Sequence, residues 1–259
     1  MKLEDLKIIS DYQECEVIER NSIIKGDCLE VMKGIKDKSI DMILCDLPYG
    51  TTACKWDEII SFEPLWEQYK RVIKDNGAIV LFASQPFTSK LIMSNINMFK
   101  YELIWEKPQG VDPFMSKIRP LNNIEEIIIF SKKKESYYPQ KTIGKPYHIV
   151  RDKKQRLEQT KNTVMKETET INLGDRLPKR ILKFNQERGL HPTQKPTALL
   201  EYLIKTYTLE GELVLDNTAG SMSTAIASIN TNRDFIMIEK DDKYFEIGAE
   251  RIKNHLLNQ

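Results

Sequence analysis

Residues 40–49 read Ile-Asp-Met-Ile-Leu-Cys-Asp-Leu-Pro-Tyr. The apolar run before Asp46 reads as a buried strand, the kind that helices cover on both faces of a parallel sheet. Working outward, residues 22–27 read as a short strand ending in an acidic loop. Residues 28–35 read as a short helix with Leu29, Met32 and Ile35 on one side. Residues 63–74 place Leu65, Trp66, Tyr69, Val72 and Ile73 at helical spacing, and Asp75-Asn76-Gly77 is expected to stop that helix. Strands are expected at 78–82, 99–106 and 126–130, with a helix at 86–95. After residue 196 the order resumes: helix 196–207, strand 212–215, helix 223–230, strand 235–239 and helix 242–257. Alternating strands and helices with continuous apolar strands mean an α/β domain.

Between about 131 and 189 this order fails. Lys, Tyr, Gln and Thr dominate, and Pro139, Gly144, Pro146, Gly174 and Pro178 punctuate the stretch. It is too long for a plain connection inside a compact domain, so an inserted, partly irregular lobe is expected. The chain has 259 residues and a formal charge of +1. Residues 131–188 alone hold 16 Lys/Arg against 7 Asp/Glu, which leaves the remainder near −8. One basic segment on a neutral protein suits a polyanion docking on one face, or else a solvated lysine-rich loop. No apolar run approaches the ~20 residues of a membrane span. The charged first five residues lack the apolar core of a signal peptide. The cysteines, Cys15, Cys28, Cys45 and Cys54, form no Cys-x-x-Cys pair. Reduced thiols in a cytoplasmic protein are expected, with no disulfide frame and no metal site.

A strand that ends in a carboxylate, a proline and a ring makes a small clamp. Asp46 and the Leu47 carbonyl can accept two hydrogen bonds from one NH2 group, and Tyr49 can stack on a flat heterocycle. By itself the tetrapeptide reads equally as a strand ending in a Pro-Tyr turn. A second unit lies far along the chain. Residues 213–224 read as a strand, a tight loop of small residues and a helix start, and the next strand ends in Glu239. Small residues let backbone approach a ligand, and an acid after the second strand takes ribose hydroxyls. The loop lacks both a phosphate-loop lysine and the three-glycine dinucleotide pattern. A nucleoside without a pyrophosphate fits it better.

These motifs together resemble the DNA amino-methyltransferases that use S-adenosylmethionine, in the permuted group whose catalytic motif precedes the cofactor motif. The resemblance spans roughly residue 23 onward. It implies a Rossmann-like, mostly parallel sheet flanked by helices. Residues 20–130 would be the catalytic half, 131–189 a target-recognition lobe and 190–259 the cofactor half. Asp46, Leu47, Pro48 and Tyr49 are similar to the family's Asp-Pro-Pro-Tyr motif and would be catalytic, polarising the exocyclic amine of a flipped base. An aspartate in first place implies N6 of adenine over N4 of cytosine. Asp216, Asn217, Ala219, Gly220, Ser221, Ser223 and Thr224 resemble the cofactor loop, with Asp46 beside it. Glu239 and its neighbour Lys240 would serve the ribose side. Asp27 and Cys28 would lie near the cofactor adenine, although Asp27 also reads as a helix N-cap. Residues 191–196 (His-Pro-Thr-Gln-Lys-Pro) resemble the segment leading into the cofactor half. Thr193 would lie at the cofactor there, and Lys195 would meet its carboxylate.

The partner implied is double-stranded DNA. Lys107, Lys117, Arg119, Lys145, Arg176, Lys179 and Arg180 would contact it, and His148 would be a polar contact there. Trp56 reads either as lining the DNA face or as a core residue. A homodimer is common among members, and a restriction endonuclease partner is compatible but not encoded here. The setting implied is a bacterium, or a virus-infected one. Two positions depart from the family's pattern: Leu47 stands where a first proline is usual, and Met222 where a second glycine is. If residue 222 needs positive φ or close approach of the cofactor, its side chain would weaken cofactor binding and leave an impaired DNA-binding relative.

Overall fold

The structure is a computed structural model that describes residues 1–13, 17–50, 58–111, 113–151, 168–187, 189 and 194–258. The chain divides into two compact units. One is Met1–Tyr138 with Arg180–Gln259, and the other is Pro139–Lys179.

The larger unit is built on a sheet of nine strands among the described residues. In chain order these are β1 (Lys7–Ile9), β2 (Ser22–Lys25), β3 (Ile40–Asp46), β4 (Ile73–Ala83), β5 (Phe99–Val111), β6 (Asn122–Phe130), β11 (Ile181–Lys183), β12 (Leu213–Asp216) and β13 (Asp234–Glu239). Their spatial order is β1-β2-β13-β12-β3-β4-β6-β5-β11. All pairings are parallel except those of β6, which runs antiparallel to β4 and β5. This is the mostly parallel, helix-flanked sheet that the alternation of elements predicts.

Side-chain alternation explains the layers. Ile43 and Cys45 of β3 face α2 (Phe62–Val72) and α3 (Phe87–Ser94) in one core cluster. Met42 and Leu44 face α4 (Thr197–Tyr207) in another. Ile23, Phe235 and Met237 pack under α5 (Ser223–Asn230) and α6 (Asp242–Leu257). The charge that interrupts the 40–45 run has its own role. Buried Asp41 accepts the Leu213 backbone N–H at 3.0 Å and the Lys74 ammonium at 2.6 Å, tying β3 to its neighbours.

Six elements of the larger unit differ from the sequence reading. The helix beginning at Phe62 stops at Val72, and β4 runs from Ile73 through Asp75-Asn76-Gly77 without a break. Gly77 permits this, because a Cβ there would lie 2.8 Å from the Asp41 carbonyl oxygen and 2.7 Å from Ile73. The strands β5 and β6 extend well beyond residues 106 and 126 into a long hairpin. Strand β1 is short and exposed, so it has little apolar pattern to read. Strand β11 lies inside the stretch expected to be irregular, and buried Leu182 anchors it beside β5.

The smaller unit is therefore narrower than 131–189. Among the described residues it contains two antiparallel pairs, β7 (Thr142–Ile143) with β10 (Asp175–Arg176) and β8 (Tyr147–Arg151) with β9 (Thr168–Asn172). Arg176 braces it by donating to the Lys145 carbonyl and to Asn172 Oδ1, with its guanidinium over the Tyr147 ring. Among the described residues no helix is long and apolar enough to cross a membrane.

Candidate active site

In an open parallel sheet the carboxyl ends of the strands share one edge, and ligands settle where the strand order reverses. Here β3 and β12 are neighbours, and the chain proceeds from them in opposite directions across the sheet. Asp46 ends β3, Asp216 ends β12 and Glu239 ends β13. The two stretches that share no sequence neighbourhood thus open onto one cavity of about 920 Å³. Its lining includes Asp27, Cys28, Asp46, Leu47, Pro48, Tyr49, Lys195, Asp216, Asn217, Ala219, Gly220, Ser221, Ser223, Thr224, Glu239 and Lys240. Thr193 and Trp56 lie outside the described residues.

Around Asp46 the structure forms a closed charge cluster. The Tyr49 hydroxyl donates to Asp46 Oδ1 at 2.7 Å and lies 3.1 Å from Glu125 Oε1. Lys195 Nζ sits 2.5 Å from Asp46 Oδ2 and 2.9 Å from Glu125 Oε1. Lys107 Nζ lies 2.8 Å from Glu125 Oε2. Two ammonium groups thus balance two carboxylates where water is scarce. Burial pushes the Asp46 carboxyl up, the Glu125 charge adds to this, and Lys195 opposes it. Burial also raises Glu125, but Lys195 and Lys107 outweigh it and hold that carboxyl below its ordinary range. Lys195, pulled down by burial, is carried above its usual value by the same two carboxylates. One face of the Tyr49 ring is stacked on Phe87, with centroids 5.1 Å apart.

The second half of the cavity is joined to the first by side chains. Thr218 Oγ1 donates to the Asp46 carbonyl at 3.1 Å. Asn217 Oδ1 accepts from the Tyr69 hydroxyl at 2.6 Å and from the Cys45 thiol at 2.9 Å. Asp216 accepts from Thr224 Oγ1 at 2.6 Å and from the Thr218 N–H at 3.1 Å, yet burial pushes its carboxyl up to about 7. Glu239 accepts the N–H groups of Gly220 and Asp241 at 2.7 and 2.8 Å. Asp27 is at once a helix N-cap, accepting from Leu29 N, and a partner of Lys240 at 3.0 Å. Asn217 Nδ2 and Gln194 Oε1, on two residues of the cavity wall, are buried without a partner among the described residues.

Several expectations change. Lys195 is engaged by Asp46 and Glu125, not left standing alone for a ligand carboxylate. Lys107 is part-buried, with its ammonium held by Glu125. Arg176 is committed to bracing its own unit. His148 pairs with Glu169 at 2.7 Å across β8 and β9. Arg180 lies over the Tyr101 ring, while Lys117, Arg119, Lys145 and Lys179 are exposed. Met222 does adopt positive φ, at 62°, but its side chain is fully buried in the core under α6 and does not line the cavity. Gly248 of α6 leaves the space, since a Cβ there would collide with Met222. Glu125 and Glu187 were not singled out from sequence. Glu187, on the cavity wall, caps α4 through the Thr197 N–H and hydroxyl at 2.9 and 3.0 Å.

The sequence profile of the DNA methylase family matches residues 40–250. The chain belongs to this family. Among its relatives is the type II methyltransferase M2.MboI of Moraxella bovis, 28% identical over 261 residues that cover 89% of this chain and 86% of that protein. Another is the DNA adenine methyltransferase YhdJ of Escherichia coli (strain K12), 29% identical and covering 90% and 83%. Among solved structures, the M1.HpyAVI–SAM complex superposes with a TM-score of 0.60 at 25% identity, over 88% of this chain and 98% of that one. The PvuII cytosine-N4 methyltransferase shares the fold, with a TM-score of 0.65 at 16% identity and 96% of each chain covered. As a DNA methylase this chain carries the Asp46–Tyr49 stretch and the Asp216–Glu239 unit within the matched span, while Asp27 and Cys28 of the cavity wall precede it.

Proposed function

We propose that this DNA methylase transfers the methyl group of S-adenosylmethionine to N6 of an adenine flipped out of double-stranded DNA. The observation that carries this reading is the single cavity shared by the Asp46–Tyr49 clamp and the Asp216–Glu239 unit. The cavity fits a nucleoside cofactor. Small residues from Ala219 to Ser221 line it, Met222 is turned away from it, and Asn217 offers a buried donor without a partner among the described residues. Glu239 would hold the ribose, with the 216–224 loop against the rest. The cofactor supplies an electrophilic methyl group on a sulfonium.

The chain's own groups supply the rest. Asp46 and the Leu47 carbonyl would accept hydrogen bonds from the two N–H groups of the adenine amine and draw its nitrogen toward sp³ geometry, which frees the lone pair; once the nitrogen carries the methyl group, its excess proton is acidic and passes to solvent. Lys195 and the Tyr49 hydroxyl fix both Asp46 oxygens, so the remaining lone pairs keep one direction. Tyr49 is braced by Phe87 on one face and offers the other to the base. Positioning and preset charge, without a strong base, make up the catalysis. The catalytic motif precedes the cofactor loop in the chain, consistent with the permuted group. The 139–179 unit would read the target sequence, with Lys117, Arg119, Lys145, Lys179 and Arg180 on phosphate. A bacterial cytoplasm is the setting that suits such a protein, and a homodimer or a restriction partner is compatible with it.

The test uses DNA incubated with the protein and methyl-labelled S-adenosylmethionine, then digested to nucleosides. Label is expected in N6-methyldeoxyadenosine. Label in N4-methyldeoxycytidine would overturn the choice of base, and unlabelled DNA would overturn the reading.

A further inference from the structure

The hairpin of β5 and β6 carries a feature that the chemistry above does not use. Its root forms part of the cavity rim, since Val111, Asn122, Ile124 and Glu125 all line the cavity. Val111 pairs with Asn122 in the ladder, so the loop beyond springs directly from that rim. Gly110 lies flush against Leu121, where a Cβ would come within 2.6 Å, so the two sides are closely apposed. The loop begins with a single 3₁₀ turn, Pro113–Met115, closed by Ser116 N to the Pro113 carbonyl at 3.2 Å. On that turn stands Phe114, 94% exposed, with Ile118 76% exposed four residues on. Lys117 and Arg119 are exposed on the same loop. An aromatic ring this bare, on a loop that also carries two exposed cations and is rooted at the cavity rim, has the chemistry of a contact to a nucleic-acid stack. The cations suit phosphate, and the ring suits any base face.

We propose that Phe114 is a wedge: it enters the base stack beside the target and fills the space the adenine leaves when it enters the cavity. This rests on the reading of the protein as a methylase of duplex DNA. A base in a paired stack cannot reach Asp46 at the cavity wall. Unstacking costs a few kcal/mol, and a ring that replaces the lost stacking lowers the cost of extrusion. The wedge touches no reacting atom. Its removal therefore alters the flipping equilibrium and leaves the cofactor half and the Asp46 cluster unchanged.

The test compares Phe114→Ala, Phe114→Trp and the unaltered protein in single-turnover methylation of two duplexes. Both carry the recognition site mapped by sequencing modified DNA. In one the target adenine faces thymine, and in the other an abasic site. Phe114→Ala is expected to slow methylation of the paired duplex by about tenfold or more, and of the abasic duplex by less than about twofold. Phe114→Trp should retain the rate on both, and cofactor affinity should be unchanged in each variant. Equal losses on the two duplexes, or no loss on either, would overturn the wedge. So would a change in sedimenting mass in Phe114→Ala, which would mark the loop as a contact between copies of the chain. If the unaltered protein methylates neither duplex, it is the methylase reading that fails.

Discussion

Glu125 shows how a single residue escapes a sequence reading and still shapes the site. Asp46, Asp216 and Glu239 were legible because each ends an apolar strand. Glu125 lies in Asn-Asn-Ile-Glu-Glu, which reads as a polar edge, and only the pairing with Lys107 and Lys195 makes a charge tolerable there. Replacing it by Gln leaves buried Lys195 and part-buried Lys107 facing one carboxylate. Glu125→Gln is expected to cost about 3 kcal/mol in urea unfolding, as for other broken buried pairs. Methylation should slow about tenfold or more as Lys195 loses its second anchor. Stability and activity both within error of the unaltered protein would contradict this. Asp216 gives a pH signature. Its carboxyl is raised to about 7 in the fold, against an ordinary value near 4. The folded state therefore binds the extra proton. The stability this contributes is full below about pH 4 and is lost as pH rises through about 7, by up to roughly 4 kcal/mol. Asp216→Asn should flatten the pH dependence of unfolding in that window. A variant curve parallel to the original would remove Asp216 as its source.

Among elements, the junction of β12 and α5 settles the question that Met222 poses. The positive φ was foreseeable from the usual glycine there. The direction of the side chain was not, because it depends on Gly248, 26 residues later on another helix. The pair behaves as one unit of packing. Gly248→Ala is expected to destabilise by about 1–3 kcal/mol through overpacking. In a Met222→Gly background the same change should cost almost nothing, a coupling that a double-mutant cycle measures. Met222→Gly alone relieves backbone strain but opens a cavity, so a net loss of about 1–3 kcal/mol is expected. Its cofactor affinity, read by calorimetry, should stay within about twofold, because the side chain faces away from the cavity. A large gain in affinity would show that Met222 does intrude on the cofactor. The elements missed from sequence share one property. Strand β1 and the outer half of β6 are largely exposed or charged, and β11 has three residues, so none presents an apolar period.

At the scale of the whole molecule, the parallel sheet and the succession of its elements along the chain were legible in outline because parallel strands must be buried on both faces, whereas their spatial order was not. The basic segment was legible as charge but not as structure, since its strands are two to five residues long and carry no buried stripe. Its cations also divide in a way that composition cannot show: Arg176 braces its own unit, while Lys145 and Lys179 face solvent. DNA affinity should fall steeply with salt, by a log–log slope of about −0.9 for each phosphate neutralised. Replacing both Lys145 and Lys179 by Ala should make that slope shallower by about 2, read from binding at several salt concentrations. An unchanged slope would take the 139–179 unit off the phosphate backbone. The most direct measurement is a crystal structure with S-adenosylhomocysteine and a duplex carrying the target. The ribose should lie on Glu239, and the sulfur should face an extruded adenine whose amine is held by Asp46. A cofactor product or an adenine lodged outside the cavity between β3 and β12 would contradict the account.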